Sequence, residues 1–269
     1  MLTVSLDLRL DILAEVYPMA DTGRALFKVR SSLDGLTYAL KQFSLERNDG
    51  GAIRREMAAL NRQLNHPERF PRYRAYFEKD GFGFLLLDWM DGTPLSGAVS
   101  AAPVRGPAEA AARIEILRHI CEALSWVHRA RHLHRDLKPQ NILLRDPRDP
   151  RKGVALIDFG LALERRGGME GTPGYAAPEQ TDRPDFPLDQ RTDLFAVGAI
   201  AWWLMTGQEF RFFGDGDGWS GVGPGTLCAL APGVTPALEA VILRALAYRP
   251  DRRPRSAQEL KAQLAGARS

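Results

Sequence analysis

The run His134-Arg135-Asp136-Leu137-Lys138-Pro139-Gln140-Asn141 holds a carboxylate and a carboxamide five residues apart. It follows a long amphipathic stretch and reads as a loop at a helix end. Asp136 there suits accepting the proton of an attacking hydroxyl, and the amide oxygen of Asn141 suits a Mg²⁺ ion. Lys138 adds positive charge where a transferring phosphoryl group builds up negative charge. Twenty-two residues beyond Asp136 stands Asp158-Phe159-Gly160, after the apolar run Val154-Ala155-Leu156-Ile157. A carboxylate at a strand end can project toward a metal, and the glycine lets the chain turn sharply.

These groups need a frame. Residues 1–87 read mostly as strand. Thr3–Leu10 alternates apolar and polar positions, and Leu26–Arg30, Thr37–Phe43 and Phe82–Trp89 are further strands, with a turn at Leu33-Asp34-Gly35. Ala52–Asn65 is the one helix, with Met57, Leu60 and Leu64 on its apolar face. Asp88–Gly92 turns polar and reads as a hinge. Helices follow over Pro107–Ala130, Asp189–Thr206 with Gly207 as its C-cap, Thr235–Ala247 with Pro236 in its first turn, and Ser256–Leu264 with a Ser256/Glu259 capping box. Residues 207–233, rich in Gly and Pro, read as loop. The pattern predicts a small β part, a hinge and a larger α part, and a cleft between two such parts is a common place for a small-molecule site.

The eight-residue string matches the catalytic loop of the protein kinases at every defining position, and Lys138-Pro139 resembles the Ser/Thr branch. Asp158-Phe159-Gly160 and Gly171-Thr172-Pro173-Gly174-Tyr175-Ala176-Ala177-Pro178-Glu179 resemble the same family's metal-binding and peptide-docking segments. The closest look is that of bacterial members of the eukaryotic-like (Hanks-type) Ser/Thr kinases. The resemblance runs from about Leu6 to Leu264.

The resemblance implies an α+β, bilobal protein-kinase fold: an antiparallel β N-lobe with one helix over about 1–87, a hinge at 88–92 and a mainly α C-lobe over 93–269. It implies transfer of the γ-phosphate of ATP, with Mg²⁺, to a Ser/Thr hydroxyl of a protein. Asp136 and Lys138 would be catalytic, and Asn141 and Asp158 would hold the metal. Tyr38-Ala39-Leu40-Lys41 resembles the strand ending in the ATP-binding lysine, with Glu56 as the carboxylate that aims it. The hinge backbone from Asp88 to Met90 would bind adenine, behind which Leu87 sits. Glu179 would pair with Arg253, Asp193 would orient the catalytic loop, and Thr172 would contact Asp136 and Lys138.

Two stretches depart from the family. The phosphate-covering loop should hold three glycines near Met19–Leu26, and only Gly23 is there, which makes close backbone approach to phosphates harder. A formal G-x-G-x-x-G at Gly216–Gly221 lacks strand–loop–helix context and reads as flexible loop. Between Gly160 and Gly171 there is no Ser, Thr or Tyr. The segment therefore predicts a kinase that needs no phosphate there, with Glu164 or Glu170 opposite Arg135 instead.

Composition narrows the alternatives. Net charge is +3 and basic residues are scattered, so no nucleic-acid surface is expected. Cys121 and Cys228 sit in apolar stretches and read as buried, reduced residues of a cytoplasmic protein. Leu194–Met205 is too short to span a bilayer, and Met1–Tyr17 lacks the form of a signal peptide. Two other readings stand beside the kinase. One is a pseudokinase acting as a binding or scaffold module, which the glycine-poor loop favours and the intact Lys41, Glu56, Asp136, Asn141 and Asp158 oppose. The other is a small-molecule phosphotransferase, which would lack Ala177-Pro178-Glu179.

Overall fold

The computed structural model describes residues 9–17, 24–46, 50–159, 171–181, 185–211, 214–215 and 218–267, the side chains of residues 52, 56, 59, 214 and 215 excepted. The chain divides into two compact units, one ending at Met90 and the other beginning at Asp91.

In the first unit, strands β1 (Leu10–Tyr17), β2 (Arg24–Ser31), β3 (Thr37–Ser44), β4 (Tyr73–Lys79) and β5 (Phe82–Asp88) form an antiparallel sheet in the order β1-β2-β3-β5-β4. Helix α1 spans Gly50–Gln63. Alternation along the strands sends Val29, Tyr38, Leu40 and Leu86 into one buried cluster, with Phe27, Phe77 and Phe84 packed against it. Lys41 follows Leu40, so it points to the other face, in register with Leu26 and Leu85.

The strand expected over Thr3–Leu10 falls almost wholly outside the described residues. The first described strand instead begins at Leu10. Its residues Ile12, Leu13, Val16 and Tyr17 are exposed on the sheet edge, so no buried face imposed an alternating pattern on them. β4 was not foreseen either. It is the opposite edge strand and carries Arg74, Glu78 and Lys79, the charges that protect an edge and blur its apolar signal.

The second unit opens with β6 (Thr93–Pro94) and the short α2 (Leu95–Ala98). Then come α3 (Pro107–Arg129), β7 (Ile142–Leu144) and β8 (Val154–Leu156), with β6-β7-β8 forming a small antiparallel sheet. Helix α4 (Gln190–Thr206) is buried on nearly every side, from Thr192 to Thr206. Asp189 caps its start by accepting from Arg191 N at 2.8 Å. Gly207 ends it in the left-handed conformation, φ +74°. Side chains such as Leu194, Phe195, Ile200 and Trp202 are fully buried there, each worth about 1.5–3 kcal/mol.

Residues 207–233 are not all loop. They contain a hairpin of β9 (Gly214–Asp215) and β10 (Gly218–Trp219) and helix α5 (Thr226–Leu230). The formal glycine motif lies partly in this hairpin, and Trp219 fixes it by donating Nε1–H to Leu246 O at 2.6 Å.

Helices α6 (Pro236–Ala245) and α7 (Ala257–Gly266) complete the unit. Thr235 and Ser256 cap them through Leu238 N and Glu259 N. Only half of the expected Ser256/Glu259 box forms, because Glu259 Oε2 accepts from Arg255 N at 2.7 Å, one residue short of the cap. Both cysteines are free; Cys121 is buried as expected, whereas Cys228 is half-exposed beside Glu239. None of the described helices is long and apolar enough to cross a membrane.

Candidate active site

Asp193, in the first turn of α4, organises the loop that follows α3. Its Oδ2 accepts from His134 N at 3.0 Å and its Oδ1 from Arg135 N at 2.9 Å. His128, at the end of α3, lies 2.7 Å from the same Oδ2. Burial pushes the Asp193 carboxyl up, but the His128 hydrogen bond, the neighbouring imidazoles and the His134 amide outweigh it and hold it below the usual carboxylate range. Two peptide N–H groups are thus clamped by one buried charge, which fixes the loop that carries Asp136.

The loop is held in a demanding conformation. Arg135 has φ +63° and Asp158 φ +61°, left-handed values that non-glycine residues adopt at some cost. Gln180 Nε2 supports the first by donating to Arg135 O at 2.9 Å. His134 Nε2 faces Ile157 O at 3.1 Å, and its ring meets that of Phe159 at a 37° tilt with centroids 4.7 Å apart. Facing a carbonyl, Nε2 must carry the proton. Burial pushes this imidazole below its ordinary value despite the carboxylates of Asp193, Asp136 and Asp158 nearby.

Asp136 is held by three partners. Thr172 Oγ1 donates to its Oδ1 at 2.7 Å, Lys138 Nζ lies 3.0 Å from its Oδ2, and Asn141 Nδ2 donates to that oxygen at 3.2 Å. Lys138 Nζ also donates to Thr172 Oγ1 at 2.9 Å. Asn141 Nδ2 donates to Asp136 O at 2.8 Å as well. With the nitrogen of that amide committed, Oδ1 of Asn141 is the atom left for a cation. Ile157 N donates to Asn141 O at 2.9 Å, tying the segment that leads into Asp158 to the catalytic loop. An amide oxygen and a carboxylate are hard-oxygen donors of the kind that suits Mg²⁺.

Asp136, Lys138, Asn141 and Asp158 therefore belong to one unit, the first three within hydrogen-bonding distance of one another. Lys41, Asp88 and Met90 lie in the other. Asp88 closes β5, where Arg74 grips its carboxylate at 2.5 and 3.0 Å and its N–H donates to Arg72 O at 2.9 Å; Met90 is buried. Glu56 lies on α1, with its side chain outside the description. Gly23 lies outside the described residues, as do Glu164 and Glu170.

Glu179 and Arg253 form the expected pair. Sequence reasoning missed His128 and Gln180. Each acts through a partner far along the chain, 65 and 45 residues away, and no local pattern marks them.

An antiparallel sheet unit followed by a helical unit carrying this loop defines the protein-kinase fold. The protein kinase domain family matches residues 22–220. The chain belongs to that family, and the relatives it resembles are bacterial eukaryotic-like (Hanks-type) Ser/Thr kinases. It is 35% identical over 234 residues to serine/threonine-protein kinase pkn3 of Myxococcus xanthus, covering 79% of this chain and 41% of that one. It is 37% identical over 183 residues to Pkn1 of the same organism, covering 63% of this chain and 25% of that one. The chain thus spans well under half the length of these relatives. In fold it resembles the Mycobacterium tuberculosis PknI kinase domain (C20A mutant), with a TM-score of 0.71 at 24% identity over 97% of this chain and 96% of that one.

Proposed function

We propose that this chain is a serine/threonine protein kinase that transfers the γ-phosphate of ATP to a hydroxyl of an acceptor protein. The observation that carries the reading is the Asp136 carboxylate, held at 2.7 Å by Thr172 and at 3.0 Å by Lys138. Asp136 orients the acceptor hydroxyl and takes its proton as the new oxygen–phosphorus bond forms and ADP leaves with the broken bond's electrons. Lys138 places its charge beside the transferring group. Asn141 and Asp158 would hold Mg²⁺, which supplies neutralisation of charge on phosphate oxygens. Lys41, aimed by Glu56, binds the α- and β-phosphates, Gly23 contributes backbone to the phosphate loop, and the backbone of Asp88 and Met90 takes the adenine. The Asp136–Lys138–Thr172 cluster and the Glu179 anchor favour a protein acceptor over a small molecule. The two free thiols fit a reducing, cytoplasmic setting.

The test is transfer from labelled ATP and Mg²⁺ to a generic Ser/Thr protein acceptor, beside Asp136→Asn and Asp158→Asn. Label on Ser or Thr that disappears in both variants and on chelation supports the kinase. Wild-type label no higher than in the variants would favour the pseudokinase reading, which the single glycine of the phosphate loop also favours.

A further inference from the structure

The peptide that joins Arg135 to Asp136 is fixed at both of its polar atoms. Its N–H, on Asp136, donates to His134 O at 2.9 Å. Its carbonyl, on Arg135, accepts from Gln180 Nε2 at 2.9 Å. Gln180 is 8% exposed, and its other amide atom is used as well: Oε1 accepts from Ala177 N at 3.1 Å. The amide can sit only one way round, because a peptide N–H must donate and a carbonyl must accept. The approach to Thr172 lies against the same amide. A Cβ on Gly171 would fall 3.4 Å from Gln180 Nε2 and 2.9 Å from Ala176 Cβ, at φ +97°, so glycine keeps that approach open. One carboxamide thus joins the catalytic loop, the approach to Thr172 and the start of the Ala177-Pro178-Glu179 turn.

We propose that Gln180 is a positioning residue for phosphoryl transfer, acting on the orientation of Asp136 through the Arg135 carbonyl. The proposal rests on the kinase reading above. Arg135 has φ +63°, a conformation that persists only where its surroundings hold it. Asp193 holds its N–H, and Gln180 holds its C=O. Without the Gln180 donor this part-buried carbonyl is left unpaired, which favours rotation of the Arg135–Asp136 peptide. The rotation re-aims the Cα–Cβ bond of Asp136 and takes its carboxylate away from Thr172 and Lys138. A misplacement of about 1 Å at a reacting group costs about a hundredfold in rate. The partners of Gln180 all lie in the second unit, whereas Lys41, Asp88 and Met90 lie in the first. Its loss therefore acts on transfer and not on nucleotide binding.

The experiment measures steady-state transfer from labelled ATP to a generic Ser/Thr protein acceptor. It compares the wild type with Gln180→Glu, Gln180→Met, Thr172→Val and the double variant Thr172→Val/Gln180→Met. Gln180→Glu keeps the shape and the acceptor for Ala177 N and removes only the donor. It should lower kcat roughly tenfold to a hundredfold and leave KM for ATP within about twofold of wild type. Gln180→Met removes both hydrogen bonds and serves if the carboxylate variant fails to fold. Two residues that aim one carboxylate do not lose rate independently. The double variant should therefore fall only about two- to threefold below the slower single variant. An unimpaired Gln180→Glu, kcat losses that multiply in the double variant, or unfolding of both single variants would give Gln180 a structural role only. Each of these overturns the proposal and leaves the kinase standing. Absence of transfer by the wild type overturns both.

Discussion

Arg253 and Glu179, 74 residues apart, meet as a two-point ion pair at 2.6 and 2.8 Å with both side chains fully buried. The pair is completely furnished with hydrogen bonds. Arg253 also donates to Ala247 O, Tyr248 O and Arg191 O, so all its N–H groups are used. Thr192 Oγ1 donates to Glu179 Oε1 at 2.9 Å. The segment carrying Thr172 is thereby tied to the start of α4 and to the turn before α7.

Removing one partner leaves a buried charge alone, which costs about 3–5 kcal/mol. Arg253→Ala should therefore lower the melting temperature by about 10 °C. Arg253→Lys should recover little of this, because an ammonium cannot supply the planar fork. Thermal unfolding followed by circular dichroism reads both. A Lys variant that melts with the wild type would show that the fork geometry is unimportant.

Thr172 bridges Asp136 and Lys138 through one hydroxyl. Thr172→Val keeps the shape and removes both hydrogen bonds, so it should lower kcat about ten- to a hundredfold with a melting temperature close to wild type. Thr172→Ser should restore most of the rate. Steady-state transfer assays separate these outcomes, and an unimpaired Val variant would mean that the bridge does not position Asp136.

Glu239 carries a pH dependence. Its carboxylate accepts from Gly225 N at 2.7 Å, Leu227 N at 2.6 Å and Cys228 N at 3.2 Å, at the start of α5. Burial raises its pKa, but these backbone donors outweigh burial and the net shift is downward from the ordinary 4.5. The folded state therefore binds its proton less readily than the unfolded chain. The resulting stability is full above about pH 4.5 and is lost as pH falls through the lower, folded-state value. Glu239→Gln should cost about 1.5–3 kcal/mol at pH 7, and the gap to wild type should close in acid. Urea unfolding at pH 7 and pH 4 measures this; a constant gap would contradict it.

Gly207 tests the close approach at the end of α4. A Cβ there would fall on the backbone of Ala101, in a position with φ +74°. Gly207→Ala should cost at least about 2 kcal/mol, combining left-handed strain with a backbone clash. Gly35→Ala, with φ +71° and open space around it, should cost only the strain. Equal losses in the two variants, read from chemical denaturation, would remove the clash from the explanation.

Much of this was legible along the chain because it is local. The Asp136–Asn141 spacing, the apolar face of α3, the helix starts at Asp189 and Thr235 and the caps Gly207 and Ser256 are properties of a few consecutive residues. Short-range backbone geometry decides them wherever they stand. The exposed strand β1 and the charged edge strand β4 escaped because no buried face gave them a period.

The chemical types available for the site were determined by the sequence alone: one base candidate, its lysine, and an amide and a carboxylate suited to a metal. What those groups touch was decided by tertiary structure. His128 reaches Asp193 across 65 residues, Gln180 holds Arg135 across 45, and Trp219 is fixed to Leu246 across 27. Such contacts depend on where α4 packs rather than on neighbouring residues. The same packing that buries Asp193 makes its carboxylate strong enough to hold two peptide N–H groups and so to set the geometry of Asp136.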